Sequence, residues 1–158
     1  MAETPATTSG AEARLRLAFA VLTEAGIVTQ LATAMLEARL PAGMVAAQFS
    51  VLNHLASRPQ GQTPLRIARA FQVPKTSMTH SLAVLERKGF VETAPNPEDG
   101  RSKLVRITEA GRAFRTGVIA ALAPDMARSL AGLEPGTLET LLPRLTHLRE
   151  VLDAARDG

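Results

Sequence analysis

The chain has 158 residues, 46% of them hydrophobic and 21% charged, which is enough for one domain with a real core. It contains no cysteine, tyrosine or tryptophan, which excludes thiol catalysis, disulfides and zinc ribbons and argues against a stacking platform for single strands. Net charge is +3, yet residues 56–116 hold eleven Lys/Arg against five acids, and this local excess of +6 points to a polyanionic partner.

Residues 1–10 are small and polar with one Pro and one Gly, the composition of a disordered terminus. Met1–Pro5 lacks the basic and apolar regions of a secretory signal, and no apolar run approaches the ~20 residues of a membrane span, so a cytoplasmic protein is expected. Apolar residues then recur at helical spacing from Ala11 to about Leu40 (Leu15, Phe19, Leu22, then Ile27, Leu31, Met35), with Gly26 as a possible bend or break and Pro41 and Gly43 as the stop. A second helix is predicted from about Met44 to Ser57, followed by the loop Arg58-Pro59-Gln60-Gly61.

Thr63-Pro64 is a strong helix start, because Thr can cap and Pro suits the first helical position. The short helix from Pro64 to about Ala70 carries Leu65, Ile67 and Ala68 as inward candidates. After a three-residue turn, Pro74 opens a helix that should last to Lys88 and stop at Gly89. Two alternating stretches, 90–94 and 103–107, flank Asp99-Gly100-Arg101-Ser102-Lys103, which reads as a hairpin with a cationic tip. Thr108 looks like the N-cap of a helix whose pattern should kink or restart at Pro124. A last helix is expected over roughly 137–155, with Pro143 one turn inside it.

The two helices 64–70 and 74–88 make a helix-turn-helix pattern. Met78, Leu82 and Leu85 form the stripe that holds the second helix to the body, and the opposite face shows Thr76, Thr79, His80, Ala83 and Arg87, with Lys75 in the first turn. Short polar side chains and a cation at a helix N-terminus suit a major groove. Thr76, Ser77, Thr79 and His80 are therefore the candidates for base edges, and Lys75, Arg87, Lys103 and Arg106 for phosphates. An ordinary solvated helix face would look similar; the basic hairpin just after it moves the balance to DNA. Arg101 at the tip is the candidate for the minor groove, where the negative potential favours a guanidinium. Asp99, two residues away, could hold Arg101 or another Arg in position through a bidentate pair. No Gly-rich phosphate loop, paired His or Ser–His–acid pattern is present, so no enzyme, metal or other cofactor is expected. A winged helix used as a protein-interaction module is the alternative, and it predicts a neutral or acidic recognition face.

The ordered fragments Gln48-Phe49-Ser50-Val51-Leu52, Val73-Pro74-Lys75-Thr76-Ser77-Met78-Thr79, Leu85-Glu86-Arg87-Lys88-Gly89-Phe90-Val91 and Pro95–Arg101, closing on Ile107-Thr108, resemble the core of the multiple antibiotic resistance regulator (MarR) family. Asp99, Arg101 and Ile107-Thr108 fit its wing pattern, while His80 and Thr93 stand where Arg is common. The resemblance implies a fold that is mainly α with a small β-hairpin: a DNA-binding lobe over 45–107, within a single domain 11–158, flanked by dimerisation helices over 11–40 and 108–156. It implies a homodimeric transcriptional regulator, a repressor bound to a pseudo-palindromic operator in double-stranded DNA. It further implies a small aromatic or anionic effector near the junction of the two parts, where Met44, Gln48, His54 and Arg112 are the polar or adaptable residues.

Overall fold

The computed structural model describes residues 6–156, which form six helices and one two-stranded sheet in two compact units, residues up to 122 and residues from 123. Helix α1 (Ala6–Glu37) is followed by α2 (Ala46–Ala56), α3 (Pro64–Ala70), α4 (Lys75–Arg87), strands β1 (Val91–Pro95) and β2 (Lys103–Ile107), α5 (Glu109–Ser129) and α6 (Thr137–Arg156). The mainly helical architecture with a small antiparallel hairpin is the expected one.

Several boundaries differ from the sequence reading. α1 starts at Ala6, five residues before the expected start at Ala11, because Ala, Thr and Ser can extend a helix already propagating from Ala11 onward; the rest of the segment expected to be disordered, residues 1–5, lies outside the described residues. Gly26 does not break α1. An isolated glycine costs only about 1 kcal/mol relative to alanine, and the flanking turns tolerate it. α5 likewise runs through Pro124 and α6 through Pro143, without a new start at either.

The segment Gly10–Glu37 is also long and apolar enough, by length and composition, to cross a membrane, which counting uninterrupted apolar runs does not reveal. Part of its polarity is spent locally: the Thr23 and Thr29 hydroxyls donate back to the carbonyls of Phe19 and Ala25 at 2.9 and 2.8 Å.

The core of the first unit gathers Val51, Leu52 and Leu55 from α2, Ile67 and Ala68 from α3, Met78, Leu82 and Leu85 from α4, and Val91, Val105 and Ile107 from the hairpin. Phe90 and Phe114 stack beside it with ring centroids 4.4 Å apart. This single cluster holds the helix-turn-helix and the hairpin to one body. In the second unit, Gly136 takes a left-handed φ of 82° at the turn into α6, and the apolar side chains Leu138, Leu141, Leu142, Leu145 and Leu152 stay exposed.

Candidate nucleic-acid interface

The first element of the interface is set by its caps. Thr63 is extended and its hydroxyl accepts the Arg66 N–H at 3.3 Å, with Pro64 at the first helical position, as the sequence predicts. The turn to α4 is tight. Val73 N–H reaches back to the Ala68 carbonyl at 3.1 Å, and Gln72 takes a left-handed φ of 54°, a place glycine usually fills. At the other end, Gly89 (φ 73°) stops α4 while Phe90 N–H bonds the Leu85 carbonyl.

α4 is thereby rotated so that Met78, Leu82 and Leu85 are buried, and Lys75, Thr76, Ser77, Thr79, His80 and Arg87 are all exposed. The six expected contact residues on this helix therefore share its solvent side. The Thr79 hydroxyl donates to the Lys75 carbonyl at 2.8 Å, leaving its oxygen available as an acceptor.

The hairpin pairs Val91 with Ile107 through Pro95 with Lys103, one residue later on β1 than the alternation suggests. Its tip is held by its own polar groups. Ser102 N–H bonds the Asp99 carbonyl at 3.0 Å, Asn96 Nδ2 bonds Ser102 Oγ at 2.8 Å, and Glu98 N–H bonds Asn96 Oδ1 at 3.1 Å. Asp99 does brace Arg101, but not by the expected bidentate pair: its Oδ1 accepts the Arg101 backbone N–H at 3.0 Å. Asp two residues ahead of an N–H closes an Asx turn, and that competes well against an exposed ion pair of small worth. Arg101 and Lys103 remain exposed at the tip, whereas Arg106 is half-buried, its Nε donating to the Gln60 carbonyl at 3.2 Å.

Three local ties escaped the sequence reading. Thr93 donates to Glu86 at 2.9 Å, which joins β1 to α4. Gln62 pairs with Val105 as a one-residue third strand, and its side chain meets His54 Nε2 at 2.7 Å. Arg66, exposed on α3, borders a cleft of about 650 Å³ shared with Asn96, Asp99 and Arg106. A single bridging residue leaves no periodicity, and only the Thr63-Pro64 cap next to Gln62 hints that this backbone is extended.

The four residues expected around an effector fall at the two ends of α2, Met44 and Gln48 at its start, His54 and, through Ala56, Arg112 at its end. Met44 and Gln48 are buried at the start of α2, where Gln48 Oε1 accepts the Val45 N–H at 3.2 Å and so satisfies a backbone donor at the helix start. Arg112 Nη1 donates to the Ala56 carbonyl at 3.2 Å. His54 borders an open pocket of about 520 Å³ with Leu36, Phe49, Asn53, Arg58 and Phe71. Among the described residues, no group of three or more His, Cys, Asp or Glu is arranged to hold a metal ion.

The sequence model of the MarR family matches residues 42–102, which covers α2 to the wing tip. The chain is 33% identical over 109 residues to the multiple antibiotic resistance protein MarR of Escherichia coli K12, covering 66% of this chain and 75% of that one. It is 42% identical over 65 residues to an HTH-type transcriptional regulator of Mycobacterium tuberculosis, covering 41% of this chain and 45% of the relative. Among solved structures, a mutant Escherichia coli MarR complexed with operator DNA superposes with a TM-score of 0.66 at 29% identity, covering 80% of this chain and 91% of that one. With an exposed cationic face on α4, a basic wing and these relatives, the chain belongs to the MarR family, whose members are winged-helix transcriptional regulators that bind DNA and are not enzymes.

Proposed function

We propose that the chain is a cytoplasmic repressor that binds a pseudo-palindromic operator as a homodimer and is released by a small effector. The observation that carries the reading is the shared exposure of Lys75, Thr76, Ser77, Thr79, His80 and Arg87 on α4 beside a wing whose tip presents Arg101 and Lys103. Thr76, Ser77, Thr79 and His80 reach base edges, Lys75, Arg87, Lys103 and Arg106 meet phosphates, and Arg101 enters the minor groove on a loop that Asp99 keeps closed. A 29% identical relative solved in complex with operator DNA supports double-stranded DNA as the partner. A two-fold dimer sets its recognition helices about 34–36 Å apart, one turn of DNA, and so reads a site with matching symmetry.

The pocket bordered by His54, Arg58, Phe49 and Phe71 supports an aromatic or anionic effector, since apolar walls and one cation suit such a molecule. Bound effector favours a dimer whose helix spacing no longer fits successive major grooves.

The test begins with operator fragments selected from genomic DNA. Arg101→Ala should weaken binding to them by roughly 1–3 kcal/mol while leaving the fold intact. Equal affinity of the two proteins across a salt series would remove Arg101 from the interface. Transcription from the bound promoter in vitro, with and without the protein, gives the sign of regulation.

A further inference from the structure

We propose that His54 is a positioning residue for DNA binding: through Gln62 it fixes the outer edge of β2, and with it the direction of the Arg101 tip. The inference rests on the reading of the wing as a DNA contact.

The wing is a two-stranded ribbon, and such a ribbon alone is marginally stable and free to swing about its base. β1 is tied inward, to α4, by Thr93 and Glu86. β2 has its other edge covered by the segment Gln60–Gln62. Gln62 exchanges both backbone bonds with Val105, N–H to carbonyl at 3.1 Å and carbonyl to N–H at 2.8 Å. Gln60 adds its carbonyl to Arg106 Nε.

Gly61 makes the close approach possible. Its φ is 80°, and a Cβ there would lie 2.7 Å from Arg106 Cγ and 2.8 Å from the Val105 carbonyl oxygen. The segment itself is loop, and a one-residue strand has little hold on its own position. The side chain of Gln62 supplies that hold by meeting His54 Nε2 at 2.7 Å, half-buried, on the last turn of α2.

His54 is in turn fixed. Its ring meets the edge of Phe71 at 5.2 Å, and its helix carries Leu52 and Leu55, both fully buried. A chain of contacts therefore runs from a core helix through His54 and Gln62 to Val105, on a strand whose first residue, Lys103, stands two positions from Arg101. A side-chain hydrogen bond of this kind sets geometry more than it adds stability.

Amide exchange of the full-length protein tests the tie without DNA. His54→Ala and Gln62→Ala should each speed exchange at the Gln62 and Val105 amides by roughly two- to tenfold. The double variant should be no faster than either single one, and His54→Gln, which restores a polar group at similar reach, should recover most of the protection. Amides of Leu52 and Leu85 should be unaffected. In operator binding, His54→Ala should weaken affinity by a similar factor in the wild-type background and by nothing further in the Arg101→Ala background. Unchanged exchange at positions 62 and 105, equal loosening of the core amides, or a full loss of affinity persisting without Arg101 would each overturn the proposal. If Arg101→Ala alone leaves binding intact, the DNA reading of the wing fails, and the proposal with it; the exchange result then says only whether the tie exists.

Discussion

Asp99 contributes to the tip through its position in the backbone more than through its charge. Its Oδ1 closes an Asx turn on the Arg101 N–H, so the guanidinium is left to the solvent side and to whatever polyanion approaches. Asp99→Asn keeps an oxygen at the same place and removes a negative charge from a surface that meets phosphates. Operator affinity of Asp99→Asn should therefore equal or exceed that of the wild type, whereas Asp99→Ala should lose roughly two- to tenfold. If Asn and Ala weaken binding alike, the brace is ionic after all. Lys75→Ala should behave differently again, weakening all sequences uniformly and lowering the salt slope by about one. The residue types and their order separated the buried stripe of α4 from its exposed face in advance, because spacing alone sorts a helix into faces. Which partner each side chain takes was not legible: Asp99 had the guanidinium and the N–H of the same residue within reach, and only loop geometry decides between them. Met44, Gln48 and Arg112 show the same limit, each being taken up by helix ends or core that no linear pattern announces.

Elements are held in place here by a few backbone approaches, and two glycines on α5 separate the effects of space and conformation. Gly111 is buried in the first turn, where its N–H bonds the capping Thr108 hydroxyl at 3.0 Å. A Cβ there would lie 2.1 Å from the Phe90 carbonyl oxygen and 2.9 Å from Ile107 Cγ1, so the helix could not dock on the hairpin base. Gly117 has nothing within 4 Å of a built Cβ. Gly111→Ala should destabilise by about 1–3 kcal/mol despite alanine's better helix propensity. Gly117→Ala should stabilise by about 0.5–1 kcal/mol. Denaturant midpoints at constant m-value check both, and opposite signs are required. Starts and stops such as Thr63-Pro64 and Gly89 were readable because each satisfies or terminates backbone bonds locally. A break at Gly26 and a new start at Pro124 were over-read, since a long helix can absorb one weak position when the turns on either side persist. Gln62 was invisible for the opposite reason: its strand consists of one pair, formed with a residue far along the chain.

At the scale of the whole molecule the unbalanced feature is α1. Leu15 is 71% exposed, Phe19 75% and Leu31 62%, on a helix apolar enough to pass the length and composition test for a membrane span. Contiguous apolar surface of that kind marks an interface or a lipid contact. In the homodimer proposed above, a second copy of the chain would cover this surface, and a two-fold axis would convert one recognition helix into a pair that can read both halves of a site. The energies are adequate. Full burial of one such side chain contributes about 1.5–3 kcal/mol, and association costs about 4–15 kcal/mol, so a stripe of several on each of two helices can exceed that cost. Phe19→Glu should then leave the protomer folded, because the side chain has little to lose within its own chain. It should halve the mass measured by sedimentation at micromolar concentration and reduce operator affinity with a shallower salt dependence, since half the phosphate contacts are gone. A wild-type protein that is already monomeric, or a Phe19→Glu protein that keeps its mass and its salt slope, would refute this use of α1. Sedimentation of the wild type with lipid vesicles would then be the next measurement.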